Sequence, residues 1–229
     1  MEFIVLLIII VIIYFVLRFI FGFNMNKIKK IGEDKELDEL TQKYPENVEI
    51  CKSYLKKLNN ENVKIEEDKN SNSTLYLVVS NKIFIANLKN NYTRIQTIAH
   101  ECLHSVQDKK LLWFNFIFSN IYLAYFFIIC ILGVLKMLPH KMMFLTILTI
   151  LGMTFYVVRA YLENDAMIKA RFLAKEYLQD QKISNKEEID KIIKKYDELN
   201  DIGIKCTNFQ LLSNVFLKII ILLIIFIIR

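Results

Sequence analysis

The chain is poor in residues that break or staple a fold. Two prolines and five glycines in 229 residues leave no obvious flexible linker. Four cysteines, Cys51, Cys102, Cys130 and Cys206, show no CxxC spacing, and Cys130 falls inside a long apolar run. This fits reduced thiols better than a disulfide framework. Cys102 reads as a small filler on the buried side of a helix. Basic residues never form a block with interleaved aromatics, which argues against nucleic acid as a partner. Internal repeats and low-complexity tracts are absent as well. Histidine is scarce, with three in the chain.

Apolar residues are abundant, at 54 % of the chain, and they pool into runs. Phe3–Leu17 is unbroken. Leu111–Leu135 is interrupted only by Asn115, Ser119, Asn120 and Gly133. Met142–Tyr161 is a third run, and Leu211–Ile228 a fourth, holding Ser213, Asn214 and Lys218. A membrane helix needs about 20 residues, at roughly 1.5 Å each, to cross about 30 Å of hydrocarbon. Four spans are therefore expected, the fourth carrying a lysine that must snorkel or find a partner. The first run reads as an uncleaved anchor. Met1-Glu2 supplies no positive charge, and no small-x-small cleavage site follows.

The net charge is +6, and its placement matters more than its size. Lys27, Lys29 and Lys30 follow the first run, and Lys109 and Lys110 precede the second. The turn between the second and third runs offers Lys136 and Lys141. By the positive-inside tendency, both large polar regions face the cytoplasm. The expected organisation is a transmembrane anchor over 1–23, a polar domain over 24–110, spans over 111–135 and 142–161, a helical polar region over 162–210, and a span over 211–229.

Within the first polar region, Pro45 suits a first helical turn, and Val48, Cys51, Leu55 and Leu58 follow at helical spacing. Val63 and Ile65 alternate with charged or polar residues, as in a short strand. Leu75–Val79 and Ile83–Ala86 read as a hairpin about Asn81-Lys82. Thr93 is placed to cap a helix running from Arg94 to about Asp108. In the second polar region, "LENDAMIKARFLAKEYLQDQ" reads as one helix. "ISNKEEIDKIIKKYDEL" reads as another, with Ser184 and Glu187 as its capping box.

The stretch "TIAHECLHSVQD" holds two of the three histidines. On a helix, His100 and His104 lie one turn apart on one face and can aim imidazole nitrogens at one metal ion. Glu101 is rotated by about 100°, which directs its carboxylate to a metal-activated water rather than to the metal. Zinc hydrolysis needs this division of labour. Two neutral histidines and a third protein ligand hold Zn²⁺, and one position stays open. Roughly 0.003 such patterns are expected from this composition by chance, so the motif is specific.

The third ligand is not supplied nearby. Lys110 stands where an extended histidine pattern would place its third histidine, and Gln107 where that pattern has glycine. His140 falls in the turn on the opposite side of the membrane and reads as a solvated loop residue. A carboxylate is left. The two middle runs form a helical hairpin that returns the chain to the same membrane face, and the first acid met there is Glu163. Asp165 is the alternative ligand, or a partner that orients a histidine ring.

With these residues in place the chain resembles a bacterial family of integral-membrane neutral zinc metallopeptidases, gluzincin-like in ligand set, over nearly its whole length. The resemblance rests on Ala99, His100, Glu101, His104 and Gln107, and on Glu163, Asp165, Ala166, Lys169 and Ala170. The chain departs from the family at Leu103, where glycine is usual. The order of elements is also similar to that of the prenyl-protease and heat-shock membrane proteases. The resemblance implies a zincin core, one Zn²⁺ per chain and location in a bacterial cell membrane.

The expected fold is an α+β membrane protein: mostly helical, about four transmembrane helices, and a small zincin-like domain with a short β-hairpin or sheet. The expected function is a zinc endopeptidase with Glu101 as general base, acting on peptides or membrane proteins at the cytoplasmic surface of a lipid bilayer. Ile83–Ala86 would offer an edge to an extended substrate. Tyr92, Tyr161, Lys169 and Arg171 are the candidates for stabilising the oxyanion. The alternatives are a membrane scaffold or sensor with a structural or vestigial metal site, and a protease dedicated to one partner.

Overall fold

The computed structural model describes residues 1–22, 31–68, 71, 73–88 and 90–228. Lys27, Lys29 and Lys30, on which part of the charge argument leans, lie outside them. In chain order the elements are α1 (Glu2–Ile20), α2 (Lys35–Gln42), α3 (Asn47–Lys57), β1 (Lys64–Asp68), β2 (Leu75–Leu77), β3 (Lys82–Ala86), α4 (Arg94–Val106), α5 (Lys109–Val134), α6 (Lys141–Gln181) and α7 (Lys186–Ile228). The protein is mostly helical with one three-stranded sheet. Helices α1, α5, α6 and α7 are each long and apolar enough to cross a membrane. Two helices stand where the sequence pattern reads four segments. The third apolar run and the Glu163 segment are both α6, because no Gly or Pro between Met153 and Gln181 stops it. The fourth run likewise continues the helix before it, as α7.

The residues separate into two compact units. One comprises residues 1–22, 114–161 and 205–228. Tyr122, Phe126 and Ile129 of α5 pack with Leu145 and Leu148 of α6 and with Val215, Ile219, Leu222 and Phe226 of α7. The outer faces are apolar too: Ile121, Phe127 and Ile131 on α5, and Ile150 and Val157 on α6, are more than half exposed. Helices that are apolar all round suit lipid or a large core, not a small water-facing one. Gly152 lets the packing close, since a Cβ there would lie 2.6 Å from Val215 Cγ1 and 2.9 Å from the Tyr122 hydroxyl. The Phe3 ring meets Phe226 edge to face at 5.4 Å, and Tyr14 lies against Phe209, so α1 runs along α7.

The other unit comprises residues 31–113 and 162–204. Its sheet has β3 in the middle. β1 pairs with it in parallel, Ile65 opposite Ile83, and β2 antiparallel, Tyr76 opposite Ile83. The hairpin forms, but β2 stops at Leu77, the turn takes residues 78–81 and Lys82 opens β3; Ile83–Ala86 is not an edge. The chain crosses over the hairpin so that β1 takes that side, and among the described strands β2 keeps an unpaired outer edge. Ile83, Ile85, Ile95, Ile98, Ala99, Cys102, Ala166, Ala170, Ala174 and Ile192 fill the core between sheet and helices.

Three terminal details differ from the sequence pattern. Pro45 lies just outside α3, which starts at Asn47 with Glu46 as its cap residue. Thr93 does not cap α4 with its side chain; its hydroxyl donates to Asn91 Oδ1 instead, at 2.7 Å. The capping box of α7 is one residue later than Ser184 and Glu187. The Asn185 N–H donates to Glu188 Oε2, and the Glu188 N–H to Asn185 Oδ1.

Arg94 anchors the first turn of α4. It is buried, and its guanidinium donates to Pro45 O (2.8 Å), Asn47 Oδ1 (2.9 Å), Thr41 O (2.7 Å) and Tyr44 O (2.9 Å). The cation thus satisfies carbonyls at the closing turn of α2 and holds the α2–α3 corner against α4. Burial pulls its pKa down, against the pull of surrounding tyrosines. Arg94→Met strands four acceptors away from water. It is expected to destabilise this unit by about 3 kcal/mol or more, read as a lower unfolding midpoint of the detergent-solubilised chain.

Candidate metal centre

Helix α4 puts Ile95, Ile98, Ala99, Cys102 and Leu103 into the core, which leaves His100 and His104 together on the opposite stripe. The two Nε2 atoms are 3.0 Å apart. Glu163 Oε2, on α6, lies 3.3 Å from His100 Nε2 and 3.6 Å from His104 Nε2. Among the described residues this is the one group of three metal-capable side chains whose donor atoms converge, all within 4.8 Å of one another. Donors held about 2.0–2.1 Å from a common tetrahedral centre lie about 3.3 Å from each other. The three distances bracket that value, and two imidazoles with one carboxylate suit zinc. The residues therefore fit the ion that the motif implies.

Gln107 sets the chemical state of the site. Helix α4 ends at Val106, and Gln107 turns to extended backbone, with ψ at 163°. Asp108 then accepts the N–H groups of Lys110 and Leu111 and starts α5. This break frees the Gln107 side chain to point back. Its Nε2 donates to Leu162 O (2.8 Å) and to Asp165 Oδ2 (3.1 Å). Both are acceptors, so the amide oxygen must face His104 Nδ1, 2.8 Å away. An oxygen there calls for a proton on Nδ1, and in the neutral ring this leaves the Nε2 lone pair facing His100 and Glu163. Asp165 is thus one step removed from the metal-capable trio. It pairs with Lys169 at 2.6 Å and supports the amide that supports His104.

Glu101 stands beside the trio without joining it. The side chain is buried, and Oε2 accepts the backbone N–H of Tyr76 at 2.7 Å. Burial raises its pKa, and the two histidines and the Tyr76 N–H only partly offset this. For His104, burial pulls the pKa down, but Glu163 and Glu101 outweigh it and leave the imidazole above its ordinary value. Burial of Asp165 is outweighed by Lys169 and Gln107, so its pKa is lowered.

Other residues singled out by the sequence fall elsewhere. His140 is exposed in the 135–140 turn. Tyr92 is buried with its ring stacked on Tyr196 and its hydroxyl donating to Ile31 O, so it cannot reach an oxyanion at this site. Arg171 pairs with Asp197 at 3.3 Å. Of the oxyanion candidates in this unit, Lys169 alone is tied to the site, through Asp165. Cys102 is the expected buried filler, with its sulfur 3.6 Å from that of Cys51. Sequence reasoning missed the bridging role of Gln107 and the Tyr76 N–H. The first needed the helix break, and the second the strand register.

Removing the Gln107 amide leaves His100, His104 and Glu163 in place but frees the His104 ring. Gln107→Ala is expected to weaken zinc binding by about 10- to 100-fold in competition titrations against a chromophoric chelator. No protein-family model, curated protein or solved structure matches the chain.

Proposed function

We propose that this chain is a membrane-embedded, zinc-dependent endopeptidase that cuts peptides or membrane proteins near the membrane surface. One observation carries the reading: His100, His104 and Glu163 converge while Glu101, next in sequence to a ligand, stays outside the trio. A structural metal site has no need of such a carboxylate.

When bound, zinc supplies a Lewis acid that polarises a peptide carbonyl and brings the pKa of water down toward about 7. Glu101 takes the proton of the attacking water onto its carboxylate and passes it to the leaving amine. The group must accept a proton and release it within one turnover; burial favours its protonated form and the charge of a bound ion its carboxylate. Gln107 holds His104 in the ligating tautomer. Asp165 and Lys169 hold Gln107.

The same reading takes α1, α5, α6 and α7 as four spans and the sheet-and-helix unit as a zincin-like domain. The excess of lysine and arginine in the polar regions supports a cytoplasmic active face, and the motifs support kinship with the bacterial integral-membrane metallopeptidases. A second reading, a scaffold or sensor with a structural metal site, draws on the Tyr76–Glu101 bond, which gives Glu101 a purely architectural use.

Metal analysis and a peptidase assay on the full-length chain in detergent separate the two. The expected result is one zinc per chain and cleavage of a fluorogenic peptide library, lost on chelation and restored by zinc. Absence of zinc overturns the metal centre. Zinc without cleavage of any peptide favours the scaffold.

A further inference from the structure

Lys218 is the one charged residue between Leu211 and Ile228. It lies eight residues beyond Gln210 and ten before Ile228, about 12 and 15 Å along the helix. If α7 crosses a membrane, as proposed above, the ammonium sits near the middle of about 30 Å of hydrocarbon. An unpaired cation is costly at that depth.

Its neighbours within the unit are neutral. The Nζ donates to Asn214 Oδ1, one turn back, and lies 4.6 Å from the centroid of the buried Tyr122 ring and 6.0 Å from that of Phe126. The sequence offers no counter-ion at this level. No Asp or Glu occurs between Asp108 and Glu163, and none follows Asp201. Ahead of Glu33 the one acid is Glu2, beside Phe3. Phe3 packs on Phe226, two turns past Lys218, or about 12 Å away.

The helix face around the lysine is open and regularly spaced. Asn214, Leu217, Ile221, Ile224 and Ile228 are all exposed. Their separations alternate three and four, the 3.5-residue repeat of a seam that receives a second helix. Lys218 stands directly beside that seam, where charges set the choice of partner.

We infer that this face of α7 docks a transmembrane helix of another protein, one that carries an Asp or Glu near the middle of its span. A second copy of this chain does not fit, because it brings lysine against lysine and no carboxylate at that depth. The apolar seam supplies packing, and the carboxylate supplies the missing charge.

The test uses the full chain, donor-labelled, in phosphatidylcholine vesicles, where no anionic headgroup competes. Acceptor-labelled Leu/Ala helices of about 24 residues carry a central Glu, Gln or Leu. Energy transfer is expected to show the Glu helix binding about tenfold more tightly than the Leu helix. Lys218→Met should erase the preference, and Lys218→Glu should transfer it to a helix with a central Lys. Equal binding of the Glu, Gln and Leu helices, or a preference that survives Lys218→Met, overturns the docking site and leaves the membrane reading standing. Failure of the wild-type chain to float with the vesicles overturns both.

Discussion

Glu101→Gln is expected to leave zinc binding close to that of the wild type and to lower peptide hydrolysis by about 10²–10⁴-fold, the usual contribution of a positioned general base. The substitution is nearly isosteric. The amide oxygen can still accept the Tyr76 N–H that Glu101 Oε2 accepts now. The metal-capable trio of His100, His104 and Glu163 is untouched. Only the ability to take and return a proton is lost. Metal content by mass spectrometry and turnover of a fluorogenic peptide, measured on one preparation, decide the matter. A variant that keeps zinc and full turnover would remove Glu101 from the chemistry. A variant that loses zinc would mean that the carboxylate holds the metal or its scaffold.

Glu163→Ala is expected to act on the other half of the site. Structural zinc binds with roughly 10–16 kcal/mol shared among three or four ligands, so losing one costs about 10²–10³-fold in affinity or more. Asp165→Ala is the matched control. It touches the trio only through Gln107 and should cost about tenfold, in the range of groups that orient a ligand. If the two effects exchange places in a competition titration, the third ligand is Asp165, and the packing of α6 against α4 differs from that described.

The sequence shows some parts of this arrangement well and others poorly, for physical reasons. The His100–His104 stripe is legible because helical period alone places it, and the apolar neighbours fix which side of α4 faces inward. Glu163 lies 59 residues beyond His104, and only the return of two long apolar segments brings it into view. The capping residue of α7 is ambiguous because Ser184/Glu187 and Asn185/Glu188 satisfy the same pattern one residue apart, and only packing selects the phase. The position of β3 is hidden for a deeper reason. Its parallel partner β1 precedes the hairpin, and pairing across a crossover leaves no local trace. Gln107 looks like one more residue of a helix until the chain breaks there.

Tyr76 has one amide proton, and in this fold Glu101 takes it. Along β2, neighbouring residues point their N–H groups to opposite sides, and that of Tyr76 is turned away from β3 toward Glu101. An extended chain laid against the open side of β2 would need the same proton for its first ladder bond. The two bonds exclude each other. Arrival of such a chain would release the Glu101 carboxylate at the moment a scissile bond came within reach, and its departure would let the carboxylate latch again. On the proposed peptidase function, the resting protein would then hold Glu101 in check with its own backbone.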